Sequence, residues 1–473
     1  MEEKIIGRAK EIRQIEQYVA TARPELIAVY GRRRVGKTFL VRHTVGACFC
    51  FYITGVYKAS LKEQLRNFGD EMRQRTGNRK LQNPKCWHDA FLMLNNYLSG
   101  VDMDKRIVFM DEIPWLDTHK SGFLREFDLF WNRYGSNCDG LKLFVCGSAT
   151  TWMVSKFIGD KGGLHNRITH SIYLSPFSLR ETEDYCKNRS IGWSRYDIVE
   201  MYMALGGIPY YLDMIEPGMS VAQNIDNLFF SEHALLRGEF NFLFASLFKN
   251  SSLYRRVIQT IARRRQGMTR EDIMEGLQLS EGGNLTQCLE DLVQCDFIRT
   301  YSPFGKKTRG TMYQLTDLYS LFWLTFVDDT QGQDSHTWTN LLDTPLQNSW
   351  KGYAFEMVCL HHLPQIKKAL GISGVLSQCQ SWTGSDGQEK GQIDLLIDRR
   401  DHVINLCEMK FSTNEYNITK QYRDRLVERR ELFRRVTGTR SALHLTMITT
   451  YGVKKSVNSS VIQNEVVMDD LYE

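Results

Sequence analysis

Leu26-Ile27-Ala28-Val29-Tyr30-Gly31-Arg32-Arg33-Arg34-Val35-Gly36-Lys37-Thr38 runs from an apolar strand through a glycine loop into the start of a helix. The residues from Gly31 to Thr38 have the spacing of a phosphate-binding loop, in which glycines let backbone N–H groups curl around phosphate oxygens. Lys37 is placed to neutralise the outer phosphates, and the Thr38 hydroxyl to hold Mg²⁺. With the strand directly in front, the pattern predicts binding of a nucleoside triphosphate, taken as ATP, together with Mg²⁺.

A second signature lies downstream. Arg106-Ile107-Val108-Phe109-Met110-Asp111-Glu112 describes a buried parallel strand with acids at its carboxyl end, the edge at which such sheets bind ligands. Asp111 is expected to complete the Mg²⁺ shell and Glu112 to orient or deprotonate the attacking water. A third strand, Leu141–Ser148, ends in Ser148, which either senses the terminal phosphate or simply closes a turn. Arg167, in Leu164-His165-Asn166-Arg167, reads as an arginine finger acting in cis or from a neighbouring subunit, or as an exposed surface arginine. Ile5-Ile6-Gly7-Arg8 opens an amphipathic helix, and a turn there could pack against the adenine base.

Together these residues resemble the archaeal-type ATPase family within the AAA+/STAND group of P-loop proteins. The carriers are Gly7-Arg8, Tyr30–Thr38, Asp111-Glu112-Ile113-Pro114-Trp115-Leu116, Cys146-Gly147-Ser148 and Gly206-Gly207-Ile208-Pro209-Tyr210-Tyr211-Leu212. The resemblance implies a P-loop parallel-sheet ATPase core over 1–175 and a helical lid over 176–249. It also implies nucleotide contacts from Arg8, Gly31, Gly36, Lys37, Thr38, Asp111 and Ser148, with Glu112 and Arg167 in catalysis. Around Arg167 the family carries more basic residues than the His165-Asn166-Arg167-Ile168 found here.

At 473 residues, with 42% hydrophobic and 24% charged content, the chain is expected to hold several globular domains. No run approaches the ~18 apolar residues that span a bilayer. The opening Met1-Glu2-Glu3-Lys4 lacks a signal-peptide apolar region, so a cytoplasmic address and no membrane contact are expected. The eleven cysteines form no Cys-x-x-Cys pair, and Cys359-x-His361-His362 lacks a second ligand pair. Reduced, structural thiols are expected. The net charge of +5 is mild; its late clustering of Arg and Lys says more than its size.

Between Asn250 and Phe326 the pattern changes to three short amphipathic helices and a hairpin. Leu253, Val257, Ile258 and Ile261 recur at helical spacing, and Met268–Ile273 carries a helix-start signal. Leu285, Cys288, Leu289, Leu292 and Val293 form another stripe. Phe297–Tyr301 and Thr311–Leu315 flank the basic turn Gly305–Gly310. This is a winged-helix layout over 250–327. It either sets the helix Gly283–Cys295 in a DNA groove, with Lys306, Lys307 and Arg309 on phosphates, or serves as a protein-interaction spacer.

Gly391–Asp398 and Val403–Lys410 read as a hairpin of two strands. Glu408 and Lys410, two apart, share a face, and Asp394 can reach the same spot. Two carboxylates beside a lysine suit a hydrolytic site in which the acids fix a divalent metal. Glu356, on an apolar helix upstream, is a further candidate ligand. The order of Glu356, Ile393-Asp394, Glu408-Met409-Lys410 and the helix from Thr419 resembles the PD-(D/E)XK nuclease superfamily. That likeness implies a mixed α/β, restriction-endonuclease-like domain over 340–473, assisted by Lys420 or Gln421. Arg423, Arg425, Arg429, Arg430, Arg434 and Arg435 either line a phosphate track or form a solvated face. The full arrangement resembles a known fusion architecture of archaeal-type ATPases. The expectation is an α/β ATPase with a metal-dependent nuclease-like end, acting on DNA more than RNA and compatible with a homo-oligomer. The rival expectation is an ATP-driven switch whose end domain binds without cutting.

Overall fold

The computed structural model describes residues 5–102, 104, 106–148, 150–159, 167–248, 250–279, 283–305, 310–328 and 334–473. Lys306, Lys307, Arg309 and 164–166 of the sequence reading lie outside the described residues. The chain divides into two compact units, Met1–Pro176 with Ile208–Tyr210, and Phe177–Gly207 with Tyr211–Glu473.

The first unit is built on five parallel strands: β1 (Glu25–Tyr30), β2 (Phe49–Thr54), β3 (Ile107–Asp111), β4 (Lys142–Gly147) and β5 (His170–Tyr173), in the order β2-β3-β4-β1-β5. This is the parallel α/β sheet expected of a phosphate-loop ATPase. Every residue of β3 and β4 is buried, because helices cover a parallel sheet on its faces and leave no alternation to read. The helices Leu61–Thr76, Trp87–Leu98 and Phe123–Arg133 contribute Phe68, Trp87, Phe91, Phe123 and Phe127 to a core shared with Phe51, Val108 and Leu143 of the strands. All carboxyl ends of the strands share one edge. Since β4 lies between β1 and β3, the loop after it falls between the phosphate loop and Asp111-Glu112.

The second unit begins with helices that include Leu179–Asn188 and Arg195–Leu205. Further along, the helices Ser251–Ala262, Arg270–Leu277 and Gly283–Gln294 precede the antiparallel pair β7 (Ile298–Tyr301) and β8 (Met312–Leu315), joined by the short β6 (Met268–Thr269) in the order β6-β8-β7. Thr269 starts its helix with a capping box, accepting from the Asp272 N–H at 3.1 Å while the Asp272 carboxylate accepts from the Thr269 N–H at 3.0 Å. The helix Gly283–Gln294 buries Leu285, Cys288, Leu289 and Leu292. Its exposed positions, Asn284, Thr286, Gln287 and Glu290, carry no cation.

The unit ends in the helix Pro345–His361 and a mixed sheet of β9 (Ser377–Ser385), β10 (Lys390–Arg399), β11 (Val403–Lys410), β12 (Ala442–Thr449) and β13 (Asn464–Val467), in the order β13-β12-β11-β10-β9. β9, β10 and β11 are antiparallel neighbours, whereas β12 and β13 join in parallel. The helix Lys420–Thr437 is the crossover between β11 and β12, burying Leu426, Leu432 and Phe433 with Ile404, Leu406 and Leu445. All eleven cysteines are free thiols. Among the described residues, no helix is long and apolar enough to cross a membrane.

Candidate functional sites

In the first unit the chain leaves β1 through Gly31, at φ +143, and enters the helix Lys37–Val45 through Gly36, at φ +90. A side chain at Gly31 would meet the Leu174 carbonyl oxygen at 2.3 Å, so this position demands glycine on space as well as backbone angle. No side chain caps the helix start, which leaves its first N–H groups available to an anion. The Lys37 ammonium is buried and donates to the Arg32 carbonyl at 2.8 Å, folded back over the loop. Arg8, also buried, donates to the carbonyls of Val35 (3.2 Å) and Ser175 (2.7 Å), and so braces the loop's own backbone.

The Thr38 hydroxyl donates to Asp111 Oδ2 at 2.8 Å, and the Glu112 N–H reaches Asp111 Oδ1 at 2.9 Å. Burial pushes the Asp111 carboxyl above its usual range, and the neighbouring Glu112 charge adds to this; the bonds from Thr38 and the Cys146 thiol oppose it. Glu112 has φ +47, and its Oε2 accepts from both the N–H (3.1 Å) and the hydroxyl (2.8 Å) of Ser148. Ser148 therefore holds an acid rather than merely ending a strand. Arg167 is exposed, and no contact joins it to this cluster among the described residues.

In the second unit, β10 departs from regular pairing where the sequence reading set its acid. Between the pairs Ile393↔Trp382 and Leu396↔Gln380, β10 carries Asp394 and Leu395 against Ser381 alone. Such a bulge twists the strand and re-aims a side chain. Continuing the β10–β11 register one step past Leu395↔Cys407 sets Asp394 opposite Glu408. Glu408 Oε1 lies 2.8 Å from Lys410 Nζ and accepts from the Tyr422 hydroxyl at 2.6 Å, while Oε2 accepts from Arg429 at 2.6 Å. Burial alone would raise Glu408, but Lys410 and Arg429 outweigh it and hold the carboxyl below its usual range. Asp394 is raised by burial, against the Gln392 amide that donates to it, and the Glu408 charge raises it further. Burial, then the Asp394 charge, pushes Glu356 up to about 8. Among the described residues, no group of three His, Cys, Asp or Glu side chains stands where it could hold a metal ion.

Several residues differ from the sequence reading. Lys420 and Gln421 are exposed, and the helix Lys420–Thr437 instead reaches Glu408 through Tyr422 and Arg429, two turns apart on one face. Most of the other arginines on that helix are paired with acids: Arg423 with Asp424, Arg430 and Arg434 with Glu431, and Arg435 with Asp386 and Glu389. His362 makes two structural bonds, Nδ1 with the Val358 carbonyl at 2.7 Å and Nε2 accepting from the Leu179 N–H at 3.1 Å. Nothing local in the sequence marks Tyr422, Arg265 or Arg299, and although Cys146 belongs to a family motif there, its contact with Asp111 is not one that the sequence shows.

Residues 5–215 match the sequence model of a family described as an ATPase domain predominantly from Archaea. That span holds the phosphate loop, Asp111-Glu112 and Ser148, so this part of the chain is an archaeal-type, ATP-binding ATPase domain. An uncharacterised protein of Methanocaldococcus jannaschii is 22% identical over 424 residues, covering 89% of this chain and 90% of its own. Among solved structures, the Walker-type ATPase of Pyrococcus abyssi aligns at a TM-score of 0.49 and 20% identity, covering 68% of this chain and 97% of its own. The ORC2 protein of Aeropyrum pernix aligns at a TM-score of 0.41 and 14% identity, covering 74% and 97%.

Proposed function

We propose that this protein couples its ATPase domain to a metal-dependent nuclease-like site in its last 130 or so residues, with a winged-helix segment over 250–327 between them. The substrate is nucleic acid, DNA more than RNA. What supports this reading is Lys410 Nζ 2.8 Å from Glu408, together with the Glu408 charge acting on the Asp394 carboxyl from the neighbouring strand. Two acids opposite each other across a strand pair, beside a lysine, have no packing purpose that apolar residues would not serve better.

In the ATPase domain, Lys37 and the open N–H groups before the helix Lys37–Val45 bind phosphates. Thr38 and Asp111 are the residues that would hold Mg²⁺, and their hydrogen bond at 2.8 Å keeps both oxygens together. Glu112, steadied by Ser148, orients water. At the second site the hard oxygen donors that would hold a divalent ion are the pair Asp394 and Glu408, the Glu408 charge raising Asp394. With Glu356 they do not form a group of three placed for a metal ion. Such an ion, when bound, polarises the scissile phosphate. Lys410 then steadies developing negative charge, and Tyr422 orients Glu408.

One observation favours a second reading, an ATP-driven switch that binds nucleic acid without cutting it. Both oxygens of Glu408 are already met by Lys410, Tyr422 and Arg429. Purified protein incubated with plasmid, linear DNA and RNA, with Mg²⁺ or Mn²⁺ and with or without ATP, separates the two. Cutting that Lys410→Ala abolishes supports the nuclease. If Lys37→Ala still cuts, strict control by ATP is excluded. No cutting under any of these conditions selects the switch.

A further inference from the structure

A cavity of about 250 Å³ opens beside Asp394 within the second unit. One side carries Glu356, Asp394 and Gln392; the other carries Arg265, Gln266 and Arg299, from the helix-and-hairpin segment. Arg299, on β7, donates from Nε to Gln314 Oε1 at 2.7 Å and lies 4.9 Å over the Tyr301 ring. Arg265 donates from Nη2 to Ser349 Oγ at 2.7 Å and lies 5.2 Å from the Tyr353 ring centre. These contacts orient each guanidinium while leaving other N–H donors uncommitted. Neither arginine forms an ion pair among the described residues.

Glu356 and Asp394 face the two arginines across the cavity without forming an ion pair, so the guanidinium forks keep N–H donors open to an anion. Burial draws Arg299 below the usual arginine range, and the Asp394 charge only partly offsets it. Two planar forks facing one small cavity are the arrangement that grips a phosphate. The volume lies just under the ~300 Å³ at which small-molecule sites begin, so it admits about one nucleotide and no continuous duplex. A chain of side-chain amides ties the two walls together, since Gln266 donates to Gln392 and Gln392 donates to Asp394.

We infer that Arg265 and Arg299 clamp one phosphate of an unpaired nucleotide in this cavity, so that the helix-and-hairpin segment completes the substrate site and selects single strands or strand ends over intact duplex. This rests on the nuclease-like reading for the identity of the opposite wall. It also gives that segment a role other than groove reading by the helix Gly283–Gln294, whose exposed positions lack cations.

The test is fluorescence anisotropy on the full chain in EDTA, with a short labelled single strand and the same strand in a blunt duplex. The single strand is expected to bind about tenfold more tightly than the duplex, and Arg265→Ala or Arg299→Gln to weaken it about tenfold. Each variant should also lower the salt slope by roughly 0.7. Arg265 is exposed, so its variant keeps the fold even if Arg299→Gln does not. Equal affinity for duplex, or an Arg265→Ala protein that binds as tightly as the parent, overturns the clamp. Cutting assays on the same proteins tell the two ideas apart. A parent that binds through these arginines but never cuts with Mg²⁺ or Mn²⁺ retains the clamp and loses the nuclease. A parent that cuts, with KM unchanged in Arg265→Ala, retains the nuclease and loses the clamp.

Discussion

Glu112 shows how much one neighbour can decide. A free glutamate at the end of a strand samples many rotamers, whereas two bonds from Ser148 to a single oxygen fix where the other oxygen points. Glu112→Gln should therefore leave nucleotide binding intact and slow ATP hydrolysis about 10²–10⁴-fold, the span expected for a general base. Ser148→Ala should cost less, about tenfold, because the acid loses the bond from the hydroxyl but keeps the one from the backbone N–H. Phosphate release and binding of a fluorescent ATP analogue measure both. Unchanged turnover in Glu112→Gln would remove it from the reaction.

At the level of the element, the loop between β1 and its helix contains two glycines with different reasons for being there. Gly31 combines φ +143 with the Leu174 carbonyl in the way of any side chain. Gly36, at φ +90, has open space around its missing Cβ. Gly31→Ala is thus expected to abolish ATP binding and lower the thermal midpoint by several degrees, whereas Gly36→Ala pays only backbone strain of about 1–2 kcal/mol. Thermal unfolding with and without ATP ranks them; a Gly31→Ala protein that binds ATP normally would contradict this loop geometry. On β10 the element sets function in another way, since the bulge in its pairing with β9 falls at Asp394 while its register with β11 stays regular.

Across the whole second unit, His362 joins residues 183 positions apart by accepting from the Leu179 N–H. Nδ1–H donates to the Val358 carbonyl, and Nε2 must stay unprotonated to accept from the Leu179 N–H. Burial depresses the imidazole below its usual 6.5. The unfolded chain then binds a proton that the folded one refuses. The contribution of this group is complete above pH 6.5 and is lost as the pH falls below it, with a slope of up to ~1.4 kcal/mol per pH unit. Urea unfolding at a series of pH values should show that slope in the parent and a shallower one in His362→Gln. Equal slopes would assign the acid sensitivity elsewhere.

Strand, glycine loop and helix start are contiguous, so Lys37 and Thr38 could be read directly, and the unbroken apolar run before Asp111 marked its strand. Local periodicity likewise announced the helices at 251–262 and 283–294, the hairpin that follows them, and the paired strands around 394 and 408. The nuclease resemblance pointed to Lys420 or Gln421 on the helix after Thr419, whereas in that turn it is Tyr422 that bonds Glu408. Beyond that lie contacts no local pattern carries. Ser148 reaches Glu112 because β4 is inserted between β1 and β3, and Cys146 touches Asp111 for the same reason. Arg429 turned from one of many helix cations into a partner of Glu408, while its neighbours were neutralised by nearby acids. Arg265 and Arg299 meet Asp394 across about a hundred residues of chain. Backbone preference acts over a few residues and is written in order along the polypeptide. Which side chains share a cavity depends on strand order and packing, and those are settled only when distant segments bury their apolar faces together.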